Sequence, residues 1–177
     1  MKRVGMMPLG KVNEHLLAFA CSAIGKILAV STIVREPLVD IQEFYDVRRG
    51  QYNAREILLR MKTLIPPPDG LTVAVCEVDL FSPIFTFVFG EAEFKGNVAV
   101  ASSYRLSPEI YGLPPDRTLL HERTSKELIH EIGHTYGLRH CSELSCVMHT
   151  STYAEEIDLK KITFCKSCSS LIHLHVA

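Results

Sequence analysis

The sequence carries almost no net charge: 19 lysines and arginines against 20 aspartates and glutamates leave a formal value of -1. No global basic field therefore draws the chain toward nucleic acid or an acidic membrane surface. The one local basic pair, Arg48-Arg49, is short and reads as a solvated surface feature. No stretch reaches the ~20 consecutive apolar residues of a membrane helix. Met1-Lys2-Arg3 followed by Leu16-Leu17-Ala18-Phe19-Ala20 loosely resembles a signal peptide, but Glu14 and His15 interrupt the approach and Lys26 closes the apolar run. Internal repeats and low-complexity segments are also missing. What is left is a 177-residue chain, 47% hydrophobic and 22% charged, which suits one soluble domain with one real core and an expected place in the cytoplasm.

Local patterns give a coarse order of elements. Residues 3–9 read as a strand, 11–24 as a helix, and the β-branched run 26–34 as a second strand. Residues 37–50 look turn-like. Ile57, Leu58, Met61 and Leu64 have helical spacing over 53–64, and Pro66-Pro67-Pro68-Asp69-Gly70 stops that helix. Residues 71–78 read as a buried strand, followed by strands over 84–90 and 97–104. Strand–helix alternation implies right-handed crossovers and a mostly parallel sheet. The five residues 79–83 are too few for a parallel crossover, so the 84–90 strand is expected antiparallel to 71–78. The expected fold is α/β: a twisted mixed five-stranded sheet with helices, then a small C-terminal four-cysteine zinc subdomain.

Chemistry concentrates in the last third. Thr124-Ser125-Lys126-Glu127 has the form of a capping box, so a helix is expected to start near Thr124. It runs into His130-Glu131-Ile132-Gly133-His134. Two histidines four apart differ by roughly 40° around a helix axis and can reach one metal from one face. Glu131, next to the first ligand, stands where a general base for a water at the metal must stand. Had the helix continued, His140 would lie roughly 240° around and ~9 Å along from His134. Gly137 permits a left-handed turn that ends the helix and swings the chain back, so His140 becomes a third ligand. Three protein ligands leave a fourth position open, as a catalytic zinc site requires.

Six cysteines complete the inventory. Cys21 and Cys76 stand alone in apolar stretches and read as small core residues. Cys141 and Cys146 form one hook and Cys165 and Cys168 a tighter one, which together suit tetrahedral zinc. An iron–sulfur cluster, or two disulfides in a secreted protein, are the alternatives. Four thiolates leave no open coordination position, so this second metal reads as structural, fixing the segment that carries His140.

The span His130 to His140 resembles the extended metzincin zinc signature. Met148, eight residues beyond His140, stands where that clan places its Met-turn methionine. The match is closer still to the archaemetzincin family, in which the third histidine is followed directly by a cysteine, then Cys-x4-Cys-x-Met and a final Cys-x-x-Cys. Pro8-Leu9-Gly10, Gln51-Tyr52, Asp79-Leu80-Phe81 and residues 87–92 also look like that family, so the resemblance spans nearly the whole chain. It implies zinc-dependent hydrolysis of peptide bonds, with Glu131 activating the water, and two zinc ions, one catalytic (His130, His134, His140) and one structural (Cys141, Cys146, Cys165, Cys168). In related folds an antiparallel edge strand forms the rim of the cleft, and residues 84–90 are the candidate here.

The chain is accordingly expected to be one metallopeptidase domain, residues 1–137 forming an upper part with the active-site helix and 138–177 a lower zinc-binding part, with the cleft between them. The partner expected is a peptide or protein substrate, with no nucleic acid and no membrane, and the protein is expected to be a monomer. Rival readings are a zinc-binding protein without turnover and a zinc-ribbon-like interaction module. Some metzincins use a tyrosine two residues after the Met-turn methionine. That position is Thr150 here, which puts such a role for the nearby Tyr153 in doubt. His149 could support the ligands but reads as a surface residue. His121, His173 and His175 have no ligand partner at recognisable spacing. Asp158 could bond a catalytic histidine, but is read as capping a helix that runs to Phe164.

Overall fold

Period-two alternation along three short strands builds the centre of the molecule. In the computed structural model, which describes residues 3–65 and 70–176 (173–176 by backbone only), Val4 and Met6 face one side of the sheet while Met7 faces the other. In chain order the elements are β1 (Arg3–Pro8), α1 (Glu14–Leu28), β2 (Ser31–Val34), β3 (Tyr45–Asp46), β4 (Gln51–Asn53), α2 (Ala54–Leu64), β5 (Leu71–Cys76), β6 (Leu80–Phe81), β7 (Gly90–Ala92), β8 (Val98–Ser102), α3 (Arg117–Thr135), α4 (Ala154–Leu159) and α5 (Lys166–Val176). The main sheet has the order β2-β1-β5-β8-β7. Its first three junctions are parallel and β7 runs antiparallel to β8, so the expected mixed five-stranded α/β fold is what forms. A small second sheet, β3-β4-β6, is additional to that expectation.

Two apolar layers cover the two faces. On one, α1 (Leu16, Ala20, Ile24, Leu28) and α3 (Leu128, Ile129, Ile132) pack on Val4, Met6, Val73, Val75 and Ala99, and this layer continues through Leu138, Val147 and Met148 to Cys168 and Ile172. On the other, α2 packs Ile57, Leu58 and Met61 against Met7, Ala74, Val98 and Val100. Among the described residues, no helix is long and apolar enough to cross a membrane.

Several boundaries differ from the sequence reading, each for a local reason. Helix α1 begins at Glu14 because the Asn13 side chain accepts from the His15 and Leu16 backbone N–H groups. It runs on to Leu28, because Ile24 and Leu28 continue the buried stripe begun by Leu16 and Ala20, and Ala29 then ends it in the left-handed region at φ 53°. Burial therefore overrides the strand propensity of residues 26–28, and β2 starts only at Ser31. The triple-proline stop at 66–69 lies outside the described residues.

Residues 84–89 are not a strand. Arg49 donates to the Phe85 and Thr86 carbonyls (2.9 and 3.0 Å) and Gln51 Nε2 donates to that of Thr86 (3.0 Å), so side chains hold this segment as a loop. The antiparallel edge is β7, downstream, and its neighbour is β8 rather than β5. The chain passes from β5 to its parallel neighbour β8 with no helix between them. Helix α3 starts two turns earlier than expected, at Arg117, with the Asp116 side chain accepting from the Leu119 N–H. The Thr124–Glu127 segment is consequently helix interior, not a cap. Asp158 caps nothing. It lies within α4 and takes the Arg123 guanidinium in two bonds of 2.8 and 2.6 Å.

Helix α3 carries the histidine pair, so its seating on the sheet decides the site. Leu128 is fully buried in that seat. Leu128→Ala should lower stability by about 2–5 kcal/mol in urea unfolding. A loss under about 1 kcal/mol would mean the helix is held by something other than this face.

Candidate metal centres and cleft

The end of α3 is a reversal built from glycine. Gly137 sits at φ 85°, its N–H donates to the His134 carbonyl (2.9 Å), and the Leu138 N–H reaches back to that of Gly133 (3.0 Å). This pair of bonds satisfies the last carbonyls of the helix and turns the chain toward His140. The three imidazoles then meet. Ring centroids are 4.7 Å apart for His130 and His134, 5.3 Å for His130 and His140, and 5.0 Å for His134 and His140.

Hydrogen bonds fix which nitrogens face the centre. His130 Nδ1 lies 2.8 Å from the Val147 carbonyl and His134 Nδ1 lies 2.8 Å from that of Leu138. A carbonyl can only accept, so each Nδ1 carries the proton and donates it. Burial lowers His130 well below the ordinary histidine range, and burial lowers His134 and His140 as well, so the neutral rings are favoured. The two Nε2 atoms therefore present lone pairs to each other across 3.1 Å, which is repulsive unless a cation stands between them. About 3.3 Å is the spacing of two nitrogens on one tetrahedral zinc. The donor set fits the metal.

The four cysteines make a second closed cluster, their sulfurs all within 4.8 Å of one another. Cys141 Sγ and Cys165 Sγ are 3.7 Å apart, far beyond a disulfide and close to the about 3.8 Å expected on tetrahedral Zn–S4. A Cys168 backbone N–H lowers the Cys165 thiol to about 7, while burial pushes Cys146 and Cys168 up. A divalent cation held by the four sulfurs would offset the burial cost of ionising those two.

Glycine makes room for two of the neighbours. A Cβ on Gly133 would stand 2.3 Å from Met148 Sδ, so the missing side chain lets Met148 press against the helix between the two histidines. A Cβ on Gly90 would stand 2.7 Å from Glu131 Cγ and 2.8 Å from the Val100 carbonyl, so β7 passes over Glu131 only because it begins with glycine. Glu131 is buried, which raises its carboxyl well above the usual range, and the carboxylates of Glu127 and Glu91 push the same way. The cleft beside it has a volume of about 300 Å³ and is walled by residues 85–90, Glu127, His130, Glu131, His140 and 150–152.

Sequence reasoning missed three residues here. Glu127 was assigned to a cap, yet it is buried one turn before Glu131, and Lys160 Nζ meets it at 3.3 Å while also donating to the His149 carbonyl (2.9 Å). Glu127 and Glu131 recur at helical spacing on one face, a signal that was readable. Lys160 and Gly90 had no such signal. Tyr153 is 64% exposed, at the start of α4, and does not line the cleft. His149 is half-buried with Nδ1 on the Cys141 carbonyl at 2.8 Å, tying the turn to the cysteine cluster rather than to the histidines. His121 packs on Phe19 (5.5 Å), and the side chains of His173 and His175 lie outside the described residues.

Residues 17–174 match peptidase family M54. The chain belongs to that family. This M54 peptidase is 40% identical over 94% of its length to the archaemetzincin of Methanocaldococcus jannaschii, covering 90% of that protein. Its fold superimposes on a crystal structure of the Archaeoglobus fulgidus archaemetzincin complexed with malonate (TM-score 0.81, 37% identity, 96% of this chain and 99% of that one). It also superimposes on a zinc-dependent peptidase from Methanocorpusculum labreanum (TM-score 0.84, 29% identity, 96% and 99% covered). This is a zinc-dependent peptidase, and its histidine cluster fits a catalytic zinc site.

In an open helix Gly133→Ala would stabilise by about 1 kcal/mol. Against Met148 it should instead cost about 1–3 kcal/mol in a thermal melt. The cost should shrink when Met148→Ala is already in place. Equal costs in both backgrounds would mean that the sulfur is not what Gly133 accommodates.

Proposed function

We propose that His130, His134 and His140 hold the catalytic zinc and that Glu131 is the general base of peptide hydrolysis. The observation that carries this is the pair of Nε2 lone pairs facing each other at 3.1 Å beside a buried carboxylate in a cleft wall. A zinc ion held by these three histidines would supply Lewis acidity, lowering the pKa of a water and polarising the scissile carbonyl. Glu131 takes a proton from the attacking water as the new C–O bond forms, and delivers it to the departing amine nitrogen as the C–N bond breaks. Its buried setting under β7 keeps bulk water from competing for that proton. The free edge of β7 (Gly90–Ala92) offers backbone groups to an extended peptide by strand addition.

The reading extends to a second, structural zinc on Cys141, Cys146, Cys165 and Cys168, with Met148 as the apolar floor under the histidines. One chain supplies all seven ligands, so a monomer suffices. We read residues 1–137 and 138–177 as the upper and lower parts of a single domain, because one apolar layer joins them. Free thiols suit the reducing cytoplasm.

Metal analysis of the purified protein should return about two zinc equivalents per chain. One equivalent, or iron in the thiolate site, would refute the two-zinc assignment. Glu131→Gln should keep both metals and the fold while lowering turnover by about 10²–10⁴-fold, with peptide binding retained. Near wild-type cleavage by that variant would move the base elsewhere. If neither form cleaves any member of a diverse peptide library at full zinc occupancy, the protein binds zinc without turnover.

A further inference from the structure

Glu127 is only 4% exposed, yet its carboxylate forms part of the cleft wall, one helical turn before Glu131 on the same face of α3. Oε1 meets Lys160 at 3.3 Å, which is long for a charge-assisted bond, and Oε2 has no donor among the described residues. Lys160 stands behind it, its side chain 1% exposed and its ammonium shared with the His149 carbonyl. The pair therefore turns its negative end toward the cleft. Ser151 Oγ, a second polar atom in the same wall, is buried and has no hydrogen-bond partner among the described residues. Phe87 and Phe89 line the same cleft, their rings 5.4 Å apart and edge to face. Arg105 caps Phe87 at 4.3 Å but is held by Asp79, so it does not neutralise Glu127.

A cleft that combines aromatic rings with a carboxylate suits a side chain that is apolar along its stem and cationic at its tip. An acidic side chain would meet the Glu127 carboxylate. A wholly apolar one would bury Glu127 Oε2 without a partner, the situation that discriminates most strongly among substrates. We propose that Glu127 makes this peptidase select substrates carrying lysine or arginine next to the scissile bond. The inference rests on the reading of this cleft as the peptide-binding site.

The test uses binding, so that it stands apart from turnover. Two peptide hydroxamates that differ only in lysine against norleucine, placed at each flanking position in turn, are titrated by calorimetry into the zinc-loaded protein. At one position the lysine ligand should bind about tenfold tighter or more. The advantage should vanish in the Glu127→Gln/Lys160→Met double variant, which strands no buried charge. Glu127→Asp withdraws the carboxylate by one methylene, and should favour the longer arginine over lysine. Equal or reversed affinities in the wild-type chain, including no binding of either ligand, overturn the proposal whatever the variants do. So does a lysine advantage that survives in a folded double variant. A lysine advantage in a protein without turnover would sink the catalytic reading and leave this one standing.

Discussion

Two ring nitrogens that cannot carry protons face each other across 3.1 Å, and much of the C-terminal half is arranged to make that tolerable. The Val147 and Leu138 carbonyls hold the protons on the far side of each ring. Those carbonyls lie on the segment that follows α3, so the chain reversal at Gly137 serves two purposes. It brings His140 round, and it places Leu138 where it can fix the tautomer of His134. The lower segment is thereby bound to the helix by the same hydrogen bonds that prepare the histidines for a cation.

Charge is buried along α3 in an ordered way. Arg123, Glu127 and Glu131 recur every four residues on one face. Arg123 is answered by Asp158 and Glu127 by Lys160, both from the region of α4, while Glu131 forms no salt bridge among the described residues. The helix thus moves from a structural pair to a tempered pair to an unpaired carboxylate as it approaches the histidines. Burying an unpaired carboxylate is costly, and a divalent cation held at the end of the row would offset it. The pairs upstream dock α4 and so position residues 150–152 as one side of the cleft.

The clustering of the three histidines was legible because their pattern is local. The spacing of His130, His134, Gly137 and His140 encodes a helix, a break and a return, and the break occurs at Gly137 through a left-handed turn. The five-stranded sheet was legible for the same reason, since runs such as 71–76 are buried on both faces and read as continuous apolar strands. What could not be read was whatever depends on distant partners. The 84–89 segment has the composition of a strand, but Arg49 and Gln51 capture its carbonyls from another part of the chain. Gly90 reads only as the last residue of that strand until Glu131 is placed beneath it. Glu127 was misassigned because a capping-box pattern inside a longer helix is indistinguishable from one at its start, and only Asp116 two turns earlier decides between them.

The two apolar layers of the sheet have different histories in a chain made from its N-terminus. The layer under α2 draws its buried members from residues 7 to 100 and can close as soon as β8 has left the ribosome. The opposite layer has only α1 at that stage. It waits for α3, for Val147 and Met148, and finally for Cys168 and Ile172. A nascent or truncated chain therefore holds a formed sheet with one greasy face half covered, a state prone to sticking to its neighbours. The segment carrying the histidine and cysteine clusters is also the cover that closes the fold, so acquiring the chemistry and escaping aggregation are the same event.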